Sequence, residues 1–147
     1  MAGKWDWSLT EIKERAMKKT IIFLMCILTT PVNAEWIKIA ESNRGTVYFV
    51  DDASIIDQGN IYYAKVLVNY SYKQDTGELS TISDTILNCK KQMMKDTRLR
   101  SYSKQSGKGR KLGDDDLVAF DLDFWRSSAS GSVENLFVTR LCAALLK

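Results

Sequence analysis

The sequence predicts an α+β fold over residues 35–147: a single antiparallel meander sheet of about five or six strands with a C-terminal helix packed on one face. Three observations carry that reading. Apolar and polar residues alternate in short runs from Trp36 to Cys89, the period of a strand with one buried face. The runs are parted by short Asn-, Asp- and Gly-bearing segments, which suit antiparallel returns rather than crossovers. Beyond Ser132 the apolar period changes to that of a helix.

The elements follow in order. Glu35 to Glu41 alternates, with Ile37 and Ile39 on one side and Trp36, Lys38 and Ala40 on the other. Ser42-Asn43-Arg44-Gly45 reads as a hairpin turn into Thr46 to Asp51, where Tyr48 and Val50 oppose Val47 and Phe49. After a second turn at Asp57-Gln58-Gly59-Asn60, Ile61 to Tyr70 is the strongest strand: Tyr62, Ala64, Val66, Val68 and Tyr70 share one face, and Lys65 and Asn69 mark the other. Asp75-Thr76-Gly77 turns the chain into Leu79 to Cys89, rich in Thr and Ile. Leu99 to Lys104 alternates weakly and is basic, which suits an edge strand; Gly107 to Gly109 and Leu112 to Asp116 read as loop. Val133, Leu136, Phe137, Leu141, Ala144 and Leu145 form a helical stripe after caps at Ser130 and Ser132, with Glu134 in the first turn. Arg140 falls on that stripe and Cys142 off it, so the helix is expected to distort or end near Cys142.

Composition narrows the function. The 147 residues are 45% hydrophobic and 27% charged, and histidine is absent, which removes the commonest general base, zinc ligand and pH switch together. An enzyme is therefore not expected, and no catalytic, cofactor or metal site is assigned. Gly107-Lys108-Gly109 lacks the remaining glycines, hydroxyl residue and helix of a phosphate loop. Asp114 to Asp116 lacks the spacing of a calcium loop, and Asp51-Asp52 reads as a pair bonding turn amides.

Met17-Lys18-Lys19, the apolar run Ile21 to Leu28, and the small residues up to Ala34 have the three parts of a secretion signal, so residues 17–34 are expected to be cleaved with Glu35 as the mature N-terminus. A buried core helix is the alternative. The run is far shorter than the roughly 20 residues a bilayer needs. Residues 1–16 read as an upstream extension from a misassigned start, with a short amphipathic helix at Ser8 to Met17 as the alternative. Cys26 lies inside the signal without a lipidation context, since Met25 precedes it and Ile27-Leu28 follow. Cys89 and Cys142 remain. In an exported domain an even pair reads as a disulfide, against the alternative of two free buried thiols.

The ordered landmarks resemble the surface-adhesin protein E family of exported bacterial proteins. They are Trp36, Tyr48-Phe49-Val50-Asp51 with Ser54-Ile55, Val66 to Tyr70, Ser80 and Asn88-Cys89. Arg98, Tyr102, Gly107 to Gly109, Trp125, Ser132-Val133, Leu136 and Cys142 follow, and the resemblance spans residues 35–147. It implies an antiparallel sheet tied by a disulfide to a C-terminal helix, and binding to host matrix or serum proteins such as vitronectin and laminin. A periplasmic accessory or inhibitor domain binding another envelope protein is the second reading.

Charge supplies the candidate site. Residues 90–111 hold Lys90, Lys91, Lys95, Arg98, Arg100, Lys104, Lys108, Arg110 and Lys111 against Asp96 alone, a net +8. With Tyr102 on the parity of Arg98 and Arg100, these form a basic face expected to bind a protein or an anionic glycan, not nucleic acid, at the cell surface or in the periplasm. The alternative is that Asp114, Asp115, Asp116, Asp121 and Asp123 fold back and neutralise it, leaving the aromatic surface around Trp36 and Tyr63. A homodimer stays open.

Overall fold

The computed structural model describes residues 35–146. The proposed signal peptide at 17–34 and the extension at 1–16 lie outside the described residues. The chain forms β1 (Trp36–Glu41), β2 (Val47–Asp51), β3 (Ile56–Asp57), β4 (Ile61–Asn69), β5 (Ser80–Asn88), β6 (Met93–Tyr102), β7 (Lys111–Asp116) and α1 (Val133–Leu145), with a 3-10 turn at Asp52–Ser54. All strands belong to one antiparallel sheet ordered β1-β2-β4-β5-β6-β7. β3 lies on the β2 side of β4, pairing Tyr62 and Tyr63 where β2 pairs Val66 to Asn69. The α+β meander with a C-terminal helix and a Cys89–Cys142 bridge is as the sequence predicts.

Period-2 alternation in β4 and β5 sets the core. Tyr62, Ala64 and Val66 are buried and pair with Leu87, Thr85 and Ser83, which are buried too. Onto this face packs α1, whose buried side chains are Phe137, Val138, Leu141 and Cys142. Ser132 caps the helix as expected, its Oγ accepting the Asn135 N–H at 3.1 Å, and Glu134 stands in the first turn, where a negative charge suits the helix dipole.

Four expectations need correction. β1 carries a bulge between Lys38 and Ala40, so Ala40, opposite Tyr48 and 1% exposed, joins Ile37, opposite the buried Val50, on the helix face instead of siding with Trp36 and Lys38. One extra residue reverses which side chains face inward. The helix runs through Cys142 without a break, because the buried stripe is turned toward Val138 and Cys142, leaving Arg140 and Ala144 exposed. A bridge to Cys89, just past β5, requires Cys142 to face the sheet. Third, β6 begins at Met93 and lies between β5 and β7, so Leu99 to Lys104 is not an edge. Last, the edge on that side of the sheet is β7, in the stretch expected as loop: Lys-Leu-Gly-Asp-Asp-Asp has no apolar alternation to announce a strand. Its aspartates do the work of blunting the edge.

Candidate functional site

β6 positions the predicted basic face. Opposite β5 its register shifts: Asp84 pairs with Arg98 but Thr85 pairs with Asp96, leaving Thr97 as the extra residue of a bulge. Met94 and Asp96 therefore share the side of Leu87 and Thr85, the helix face, while Lys95, Arg98, Arg100 and Tyr102 all share the other. On the helix side Asp96 is 9% exposed and meets Arg126 at 2.5 Å and the Thr85 hydroxyl at 2.6 Å.

On the other face the cations of the strand centre are paired. β7 lies with Asp114 opposite Arg100 and Asp116 opposite Arg98. Asp114 accepts from Arg98 Nε at 2.7 Å and from Lys111 Nζ at 2.7 Å, and Arg100 Nε stands 4.0 Å away. Arg100 donates to Asp84 across β5. The Arg98 hydrogen bond, then that of Lys111, hold the Asp114 carboxyl well below the usual carboxylate range. Lys95 donates to Asp123 at 2.7 Å and sits 5.6 Å from the Trp125 ring centroid, a cation–π contact. The Lys95 hydrogen bond lowers the Asp123 pKa.

The remaining predicted cations lie at the two ends of β6. Lys90 and Lys91 occupy the turn before it, and Lys104, Lys108 and Arg110 the hairpin after it. All five are exposed, and among the described residues none has a carboxylate within 4.0 Å. Their backbone is fixed even though their charges are not. Ser103 N–H donates to the Arg110 carbonyl at 3.0 Å, the Arg110 N–H to Ser103 Oγ at 2.9 Å, and the Lys104 N–H to the Lys108 carbonyl at 3.1 Å. The loop is then fastened to the sheet: Ser106 N–H donates to Asn69 Oδ1 at 2.7 Å, Gln105 Nε2 to the Tyr70 carbonyl at 3.0 Å. Ser80, fully buried, accepts from the Gly107 N–H at 3.0 Å and donates to the Lys104 carbonyl at 2.6 Å. Gly107 has φ +66°, and a Cβ there would lie 2.6 Å from Ile82 Cδ1. The glycine read as turn punctuation is what lets the loop lie flat on β5.

One concave feature was not anticipated. A cleft of about 650 Å³ opens where the β1–β2 turn, the chain leaving β4 and the start of α1 converge. Tyr48, Tyr70 and Tyr72 line it with Arg44, Asn43 and Asn135. In sequence Tyr48 and Tyr70 counted only as core faces; the signal available was Tyr70 and Tyr72 at one parity past the strand end, continuing an aromatic series into a loop. Among the described residues no cluster of His, Cys, Asp or Glu is arranged to hold a metal, and no helix is long and apolar enough to cross a membrane.

Comparison with known proteins agrees with this architecture. The family model described as surface-adhesin protein E matches residues 36–143. The chain is similar to Haemophilus influenzae protein E in crystal form II, at 20% identity and TM-score 0.53, covering 80% of this chain and 94% of that one. A selenomethionine form of Haemophilus influenzae protein E aligns at 19% identity and TM-score 0.50, covering 79% and 93%. No curated protein sequence matches the chain.

Proposed function

The chain belongs to the surface-adhesin protein E family, and from that premise we propose that it is an exported adhesin-like binding domain that engages host matrix or serum proteins, or anionic glycans, through the β6–β7 hairpin. Family membership points to binding rather than catalysis. The observation that carries the surface assignment is the contrast along β6. Lys104, Lys108 and Arg110 are exposed and without acidic partners among the described residues, on a loop whose backbone is fixed by Asn69 and Ser80. A loop with a preorganised backbone presents charge to a polyanion without a backbone ordering cost at binding.

Salt-dependent elution from a sulfated-glycan matrix tests it. Lys104→Gln, Lys108→Gln and Arg110→Gln together should elute at clearly lower salt with an unchanged melting temperature. Elution that does not move would place binding elsewhere. The lack of a lipidation context at Cys26 favours, as second reading, a periplasmic domain binding another envelope protein. Protease added to intact cells separates the two: digestion supports surface display, and protection supports the periplasm.

A further inference from the structure

The tyrosine cleft adjoins the basic hairpin, whose Gln105 donates to the Tyr70 carbonyl, but its lining contains no hairpin residue and has a chemistry of its own. Tyr48, only 9% exposed, forms its inner wall, its ring 5.4 Å from that of Phe137. Burial, and after it the charge of Glu134, raises the Tyr48 pKa above the ordinary phenol value, so the hydroxyl remains a donor. Its ring is part of the cleft lining. Tyr70 stands beside it with its hydroxyl 3.3 Å from Thr81 Oγ1, and Tyr72, 57% exposed, offers a ring at the rim. Arg44 is exposed and has no carboxylate within 4.0 Å among the described residues. Glu41, the acidic residue of the lining, is engaged by Lys38.

We propose that this cleft binds the acidic end of an oligosaccharide, a terminal sugar bearing a carboxylate: Arg44 takes the carboxylate, Tyr72 stacks on the apolar C–H face of the ring, and Tyr48 with the Asn43 and Asn135 amides takes hydroxyl groups. The volume lies within the roughly 300–1,000 Å³ typical of small-ligand sites. A sugar has one apolar face and a polar rim, and this wall answers both, with three phenol rings among amides and hydroxyls. An extended peptide finds less there. β2 and β4 are paired on both sides and offer no edge to an added strand, and on β1 the Ile39 carbonyl already accepts Arg140 at 3.3 Å. A guanidinium that is unpaired among the described residues, beside uncharged donors, suits one carboxylate better than the dense sulfation expected at the hairpin.

Titration of the purified protein with sialyllactose and with a hyaluronan tetrasaccharide, followed by saturation-transfer NMR, tests the assignment, with lactose as the uncharged control. At least one acidic probe should bind about tenfold more tightly than lactose. Arg44→Gln should erase that margin and Arg44→Lys should restore part of it, while Tyr72→Ala should weaken all three sugars about tenfold. Both side chains are exposed, so melting temperatures should hold. The hairpin triple Gln variant should bind the acidic probes unchanged, which separates this site from the proposed adhesive surface. Equal binding of lactose and both acidic probes, no binding of either acidic probe at millimolar concentration, or full binding by Arg44→Gln and Tyr72→Ala would overturn it. So would a short acidic peptide that displaces the sugars and depends on Arg44.

Discussion

The centre of β6 and the hairpin that follows it carry the same kind of side chain and use it in opposite ways. At the centre Lys95, Arg98 and Arg100 each meet a carboxylate, and the ion pairs tie β5, β7 and the chain before α1 to one strand. In the hairpin Lys104, Lys108 and Arg110 meet none among the described residues, and neutral groups, Ser80, Asn69 and Gly107, hold the backbone instead. A run of cations is thus two devices, one that fastens an edge strand and one that remains available to a partner. The distinction is made by where β7 lies, because its aspartates reach the strand and not the loop.

The largest effect should come from a change that touches neither region. Removing the Cys89–Cys142 bridge, which closes a separation of 53 residues, should destabilise the domain by about 2–5 kcal/mol. Denaturant melts of Cys89→Ala/Cys142→Ala should show that loss, while sulfated-glycan elution of the folded protein stays put. If elution falls as well, the hairpin is not independently fixed and the contrast fails.

Next comes the hairpin backbone. Gly107→Ala combines a left-handed φ of +66° with a Cβ 2.6 Å from Ile82 Cδ1, whereas Gly59→Ala, at φ +84°, meets open space. Strain alone costs about 1–2 kcal/mol. Calorimetry should place Gly107→Ala below Gly59→Ala, and amide exchange should quicken at Ser103 to Arg110 in the former only. Equal losses would mean that the Ile82 side chain yields and that the close approach adds no strain.

A charge comparison sharpens the contrast further. Arg98→Gln with Arg100→Gln should lower the melting temperature and leave elution from sulfated glycan nearly unchanged, while the hairpin triple should do the reverse. The reversed result would give the strand centre to the partner and the hairpin to the fold.

The smallest effect is in pH. Because the folded Asp114 pKa is depressed below its ordinary 3.8, its stabilisation is complete above that value and is lost as pH falls through the folded pKa. Protection factors of the β7 amides, corrected for intrinsic exchange, should therefore fall on going from about pH 5 toward pH 2, and Asp114→Asn should show the low protection already at pH 5. A β7 equally protected across that range in both proteins would show that its pairing does not depend on Asp114.

What could be read directly was whatever rests on near neighbours in the chain. Alternation marked the buried face of β4, Ser132 and the change of period marked the start of α1, and two cysteines beyond the expected signal were enough for the bridge. The bulges at Ile39 and Thr97 were hidden, because an extra residue leaves the composition of a strand intact while reversing its parity. So was β7, a strand made by its partner rather than by its own pattern. The cleft too was assembled only by folding, from a turn, a strand end and a helix start far apart in sequence. The sequence alone determined that residues 90–111 are strongly basic. Only the tertiary structure decided which cations are displayed, since Arg98 and Asp114 are 16 residues apart and meet through strand register alone. Charge is a property of composition; its neutralisation is a property of distance, which long-range pairing sets.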